Sequence, residues 1–270
     1  GIRLGEIRQK THGKIQQEMI KLAVLTSKGG TGKTTTAINL GHGLALSGKR
    51  VLLIDCDPQG SASSAFGIRS ESGIVDLLID SRIDIYKIRP ELYLLPSGGK
   101  RLADLEIRMA NRTDRNELLK RALSRLSGCD WVILDCSPSI NIINLNALGF
   151  ADYLLIPSSL DYFSLEGVRT TMEVTAELTN GMHEKIEILG VLPTFYDRRT
   201  VVSRLALESL RTRYGKLVFR TEIRSNAQIK KSQWNKKTIF EYAPYSFGAY
   251  DYFNLAAEVL ERIRGLKRDE

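Results

Sequence analysis

A doubly wound, mostly parallel α/β sheet with helices on both faces is the fold this sequence predicts, and three observations predict it. Short, unalternating β-branched runs recur at Val51–Ile54, Trp131–Leu134, Tyr153–Ile156 and Ile186–Leu189, the pattern of strands buried on both faces. Helical stretches lie between them, and such alternation builds a parallel sheet. A glycine-rich loop, Ser27-Lys28-Gly29-Gly30-Thr31-Gly32-Lys33-Thr34-Thr35, follows the first apolar run, where open α/β sheets bind their ligands.

In chain order, a strand over Ile20–Leu25 runs into that loop. Lys33 to Ser47 is helical, with Ala37, Ile38, Leu40, Leu44 and Ala45 inward and Gly48 as a stop. The second strand ends at Asp55-Cys56-Asp57-Pro58-Gln59-Gly60-Ser61. A helix is expected over Asp114–Leu126, from Leu118, Leu119, Ala122, Leu123 and Leu126. The strand at Trp131 ends in Asp135-Cys136-Ser137-Pro138-Ser139, and helices over 164–180 and 248–264 complete the pattern. Residues 20–270 form one domain, preceded by a poorly patterned extension over 1–19.

The chain has 270 residues, 43% of them hydrophobic and 26% charged, the composition of an ordinary globule with length enough for a full core. No apolar stretch approaches the roughly 18 residues of a membrane span, and the expected location is cytoplasmic. Three cysteines make no disulfide framework. Cys56 and Cys136 are expected to be buried at strand ends, and Cys129 has no partner at metal-ligand spacing, so neither zinc nor an iron–sulfur cluster is expected. The formal net charge is +8, and residues 181–240 hold 13 Lys and Arg against 5 Asp and Glu, so 13 − 5 = +8 falls in that one segment. Confined basic charge makes nucleic acid the first candidate partner.

The loop has the ending of a phosphate-binding loop, whose backbone N–H groups close on phosphate oxygens at a helix N-terminus. Lys33 would reach the β- and γ-phosphates, and Thr34 would hold Mg²⁺. The common pattern has glycine where this chain has Ser27, and Lys28 is an additional cation. Lys28 sits on the wrong side of the loop to duplicate Lys33, and a lysine there could project outward, toward the nucleotide of a second copy; the plainer reading is a solvated loop lysine. Asp57 and Asp135, at two strand ends, suit a metal–triphosphate site, one supporting the metal and one orienting water. Asp55 and Asp161 read equally well as helix caps.

Lys28 to Thr35, Leu53 to Gly60 and Leu134 to Ser139 resemble the deviant Walker A, Walker A′ and Walker B motifs of ParA/Soj-type ATPases. The resemblance continues through Asn144–Leu148, Ile156-Pro157, Tyr162–Gly167, Gly190–Thr194 and Asp197–Thr200, and covers the chain from Lys21 onward. It implies an ATP- and Mg²⁺-dependent DNA-partition ATPase. Such an enzyme pairs into an ATP sandwich homodimer, binds double-stranded DNA non-specifically on the nucleoid, and hydrolyses ATP slowly until a ParB-like centromere-bound partner stimulates it. Catalysis would fall to Lys28, Lys33 and Asp57. ATP would be held by Lys28, Gly29, Gly30, Thr31, Gly32, Lys33, Thr34, Thr35 and, at the adenine, Asn226. Mg²⁺ would be held by Thr34, Asp57 and Asp135. The region matching the family's DNA contacts includes Arg199, Arg220, Arg224, Lys230, Lys231, Lys236 and Lys237.

Two departures stand out. Arg224-Ser225-Asn226 and Lys230-Lys231-Ser232-Gln233 replace a Pro-Arg-Asn and a Glu-Ala-Pro-Ser stretch, and Ser61 stands where the family usually has Asn. Trp234 and the tyrosines at 242, 245, 250 and 252 are expected to pack the C-terminal helix. Other readings of the same nucleotide site are a MinD-type membrane-positioning ATPase, a ParA-like ATPase positioning protein cargo, a reductase like the nitrogenase iron protein and a non-hydrolysing adaptor. The tail from Val259 to Glu270 is poor in apolar residues and ends acidic, which disfavours membrane insertion. Intact Lys28, Lys33, Asp57 and Asp135 disfavour the adaptor.

Overall fold

The computed structural model describes residues 18–109, 115–124, 126–139, 141–182 and 186–269. Most of the 1–19 extension therefore lies outside the described residues. The first half of the chain runs β1 (Ile20–Val24), α1 (Lys33–Leu46), β2 (Val51–Asp55), α2 (Ser61–Ala65), α3 (Ile74–Asp80), β3 (Tyr86–Arg89), β4 (Leu92–Leu95), α4 (Lys100–Met109) and α5 (Leu118–Ala122). The second half runs β5 (Trp131–Asp135), α6 (Ile142–Phe150), β6 (Tyr153–Ser159), α7 (Ser164–Met182), β7 (Glu187–Tyr196), α8 (Val201–Tyr214), β8 (Ile223–Arg224), α9 (Ala227–Trp234), α10 (Ile239–Tyr242) and α11 (Phe247–Asp269).

The strands form one sheet in the order β3-β4-β2-β5-β1-β6-β7-β8. All neighbours are parallel except the antiparallel pair β3–β4 at one edge. Alternate residues of each central strand face opposite layers. Ala23, Leu52, Ile54, Val132, Leu134 and Leu154 pack under α3 to α8. Leu22, Val24, Leu53, Trp131, Ile133 and Leu155 pack under α1 and α9 to α11. This is the doubly wound sheet the apolar runs predict, and the carboxyl ends of β1, β2, β5 and β6 share one edge.

The helix expected over Asp114–Leu126 is much shorter. Asp114 lies outside the described residues, and the helix that forms is Leu118–Ala122. The side-chain amide of Asn146 explains its start. It accepts the Leu119 N–H at 3.0 Å and donates to the Arg115 carbonyl at 2.5 Å, the two groups that would bond to each other in a continuous helix. The edge strands β3 and β8, and β4 between β3 and β2, are additions to the sequence reading. Tyr86–Arg89 and Ile223–Arg224 lack the continuous apolar run that marks the central strands.

The C-terminal aromatics correct another expectation. Tyr252 is buried at 1% exposure as anticipated, but Trp234 is 89% exposed, Tyr245 100% and Tyr250 62%. Gly248 seats the start of α11 against Ile229 and Ile239, so those aliphatic side chains fill the place assigned to the aromatics.

Candidate functional site

The loop after β1 turns through Gly30 and Gly32, at φ of 73° and 85°, a left-handed conformation that favours glycine. Gly32 is the N-cap of α1, so the loop delivers its backbone directly to a helix N-terminus. Ser27 has a structural use: its hydroxyl donates to the Gly167 carbonyl of α7 at 3.2 Å, and its N–H donates to Thr171 Oγ1 at 3.0 Å. Thr194 Oγ1 of β7 donates to the Thr31 carbonyl at 2.9 Å. Both sets of bonds brace the loop from outside.

Lys33 is buried, and its Nζ donates to the Lys28 carbonyl at 2.9 Å. Burial lowers its pKa, while Asp135 and Asp57 push it back up. Strand register explains the first of these neighbours. Asp135 pairs with Val24 on one side and Asp55 on the other, so β5 inserts a carboxylate between the phosphate loop and the end of β2. Burial, then repulsion from Asp55, raises the Asp135 carboxyl well above its ordinary range, against a lowering influence from Thr34 and Lys33. Neither Asp135 carboxylate oxygen has a hydrogen-bond partner in normal geometry.

Asp55 is wholly buried and accepts both the N–H and the hydroxyl of Ser63, at 2.9 and 2.6 Å. Burial nevertheless pushes its carboxyl up to about 6. It acts as the anchor of α2, as the cap reading anticipates. Asp57 stands beyond the strand, half-buried, with Oδ1 accepting the Gln59 N–H at 2.9 Å. Glu106 of α4 also faces this group, raised by burial and by the Asp57 charge, and accepts the Ile143 N–H at 3.3 Å. Sequence reasoning missed Glu106, because it carries no motif and its helix carried no expectation.

Lys28 does not project outward in the structure. Its ammonium meets both oxygens of Asp161 at 2.5 Å and Ser159 Oγ at 3.3 Å. Burial alone would raise Asp161, but the bonds from Lys28 and Ser159 hold it below the usual carboxylate range. Gly167 leaves room for the close approach: an added Cβ there would stand 3.2 Å from that of Lys28, tighter than ordinary contact. Asp161 also accepts the Phe163 N–H at 2.9 Å, so it is a cap as well as a counter-ion.

The seven basic residues expected at DNA divide into two groups. Arg199 pairs with Asp197, Arg220 with Glu258 and Glu261, and Arg224 with the buried Asp251. Lys230, Lys231, Lys236 and Lys237 are exposed and make no ion pair among the described residues. Asn226 caps α9, its Oδ1 accepting the Gln228 N–H at 2.8 Å. The face carrying the lysines is fastened to α1 at helical spacing. Gln233 Nε2 donates to Thr35 Oγ1 at 2.8 Å, the Ile239 N–H donates to Asn39 Oδ1 at 2.9 Å, and His42 Nδ1 meets Thr238 Oγ1 at 2.6 Å.

A cavity of about 360 Å³ lies at the opposite, amino-terminal end of the strands, among Met19, Leu123, Leu148, Phe150 and Leu178. It contains none of the site residues. The loop, Asp57 and Asp135 instead converge at the carboxyl-terminal edge of the sheet. A left-handed N–H cradle, a buried lysine, a threonine hydroxyl and buried carboxylate oxygens without partners are donors suited to a phosphate chain and a hard divalent cation.

The profile of a family described as an AAA domain matches residues 19–188. The chromosome-partitioning ATPase Soj of Thermus thermophilus is 37% identical over 252 residues, covering 93% of this chain and 99% of that protein. The chain belongs to the ParA/Soj family of partition ATPases. The sporulation initiation inhibitor protein Soj of Bacillus subtilis is also 37% identical, over 88% of this chain and 97% of its own length. Among solved structures, a Mycobacterium smegmatis protein named cobyrinic acid a,c-diamide synthase, with bound ATP analog and magnesium, superposes with a TM-score of 0.78 at 30% identity. That match covers 92% of this chain and 96% of the other. No described helix is long and apolar enough to cross a membrane.

Proposed function

We propose that this protein is an ATP-switched, DNA-binding partition ATPase whose Mg²⁺·ATP dimer holds duplex DNA non-specifically. The loop from Lys28 to Thr35 wraps the phosphates with its N–H groups, and Lys33 neutralises their charge. Thr34, Asp135 and Asp57 hold the magnesium ion directly or through its water, a role that suits the buried, partnerless Asp135 oxygens. When bound, magnesium neutralises charge on the β- and γ-oxygens. Asp57, standing free of the strand, orients the attacking water. Lys28 leaves Asp161 and crosses to the nucleotide of a second copy, supplying a cation where charge develops between the phosphates. A ParB-like, centromere-bound partner stimulates hydrolysis and releases the DNA.

The observation that carries this reading is the row of contacts along α1. Thr35, Asn39 and His42 tie the helix that starts at the phosphates to the segment bearing four exposed lysines, unpaired among the described residues. A change at the phosphate end of α1 therefore reaches the basic face through directly bonded side chains. The test is binding to random-sequence duplex DNA with ATP, with ADP and with no nucleotide, at two salt concentrations. Tight, salt-sensitive binding with ATP alone is expected. Equal binding in all three conditions, or none, contradicts the proposal.

A further inference from the structure

The outer face of α9 combines charge with a large apolar ring. Ala227, Lys230, Lys231 and Trp234 stand at i, i+3, i+4 and i+7, while Ile229 and Ser232 point inward and are buried. Such spacing places the four on one side of the helix. Trp234 is 89% exposed, and the other tryptophan, Trp131, is 1% exposed. Residues 225–240 contain Lys230, Lys231, Lys236 and Lys237 and no Asp or Glu. The ring thus stands in a field of cations with no internal counter-ion.

We propose that Trp234 is a base-contacting residue: α9 meets duplex DNA with Lys230 and Lys231 on phosphates and the Trp234 indole packed against the bases between them. The proposal rests on the DNA-binding reading of this segment and adds to it an interaction that is not electrostatic. Three chemistries compete for an exposed tryptophan. Protein interfaces are depleted of lysine, particularly at their centres, whereas this ring has a lysine three and four residues before it. A lipid surface takes an apolar stripe along a helix, and α9 offers one ring. Duplex DNA takes both groups at once, phosphates on the lysines and an apolar ring against the bases at a groove edge or a partly opened base step. Gln233, the residue before the tryptophan, bonds Thr35, so the position of this ring is tied to the phosphate end of α1.

The arrangement makes the two kinds of interaction separable. Removing one lysine–phosphate pair lowers the slope of log affinity against log salt by about 0.9. Removing an aromatic ring from a base lowers affinity without touching that slope. The experiment follows the full chain with ATP and Mg²⁺ during titration with fluorescein-labelled random-sequence duplex, reading fluorescein anisotropy and tryptophan emission together. Because Trp131 is buried, the emission that responds to solvent belongs to Trp234. We expect that emission to be quenched as anisotropy rises, and Trp234→Ala to weaken binding about 10-fold at every salt concentration with the slope unchanged. Lys230→Ala and Lys231→Ala should each lower the slope. An unchanged melting temperature of Trp234→Ala shows that weaker binding does not come from unfolding.

Four results overturn the proposal, and they are distinguishable. If anisotropy rises while emission and the affinity of Trp234→Ala stay as in the wild type, the ring faces away from DNA and the DNA-binding reading stands. If anisotropy never rises with ATP, both fall together. If emission changes on adding ATP alone, before DNA, a second copy covers the ring. If emission shifts to the blue with anionic phosphatidylserine vesicles and does not change with DNA, the face belongs to a membrane.

Discussion

Gln233 Nε2 lies 2.8 Å from Thr35 Oγ1, joining two residues 198 positions apart. Thr35 belongs to the first turn of α1, where the phosphate loop ends, and Gln233 belongs to the helix that carries Lys230 and Lys231. With Asn39 and His42 continuing the row of bonds down α1, the nucleotide site and the basic face are two ends of one bonded unit. Neither end needs to signal through a flexible linker.

Lys28 is held by Asp161 in its own chain, so its use at a second copy's nucleotide requires leaving that carboxylate. Lys28→Ala should keep ATP binding, because Lys33 and the loop N–H groups are untouched, yet lose roughly 100-fold or more of partner-stimulated turnover. Asp161→Asn removes the competing counter-ion and should hasten ATP-dependent dimer formation, read by light scattering after mixing. Normal turnover by Lys28→Ala would show that no cation crosses the interface.

Asp57 and Asp135 should differ in what their loss abolishes. Asp57→Ala is expected to bind Mg²⁺·ATP and stall with DNA bound, giving a long-lived complex in a dissociation experiment. Asp135→Asn removes a buried carboxylate and should weaken the magnesium dependence of ATP binding, measured by calorimetry across a magnesium series.

The buried carboxylates also set a pH dependence. Burial pushes Asp55 up from 3.8 to about 6, so between those values the folded chain binds more protons than the unfolded one. Stability contributed by the protonated group is present below the lower value and is lost as pH rises through about 6. The wild-type melting temperature should therefore carry a falling component between about pH 4 and pH 6 that Asp55→Asn flattens, in the absence of magnesium.

Paired arginines and unpaired lysines should separate by assay. Lys236→Ala and Lys237→Ala should leave the melting temperature unchanged and reduce the salt slope of DNA binding by about 0.9 for each phosphate no longer neutralised. Arg224→Ala strands Asp251, whose side chain is 5% exposed, and should lower the melting temperature, because a buried carboxylate is left without its cation.

What the sequence made legible was local. The phosphate loop, Asp57 and Asp135 follow apolar runs directly, so motif and strand end could be read together. The central strands showed because burial on both faces demands continuous apolar runs. Contacts between distant segments left no such trace. Nothing near Asn146 announces that its amide bonds Leu119 and Arg115, and nothing near Lys28 announces Asp161. Trp234 misled for the opposite reason: its type suggests a core, and only the packing of Ile229 and Ile239 under Gly248 reveals that the core is already full. Glu106 feels the Asp57 charge and accepts the Ile143 N–H across a gap of 37 residues, a matter of tertiary packing rather than of spacing.

The most direct test of this account is nucleotide-dependent DNA binding by Gln233→Ala beside the wild type, with ATP affinity measured in the same preparations. If α1 carries the switch, the variant binds ATP normally and its affinity for duplex DNA no longer distinguishes ATP from ADP. A variant that switches as sharply as the wild type would show that the Thr35–Gln233 bond carries no signal, and that the basic face answers to the nucleotide by another route.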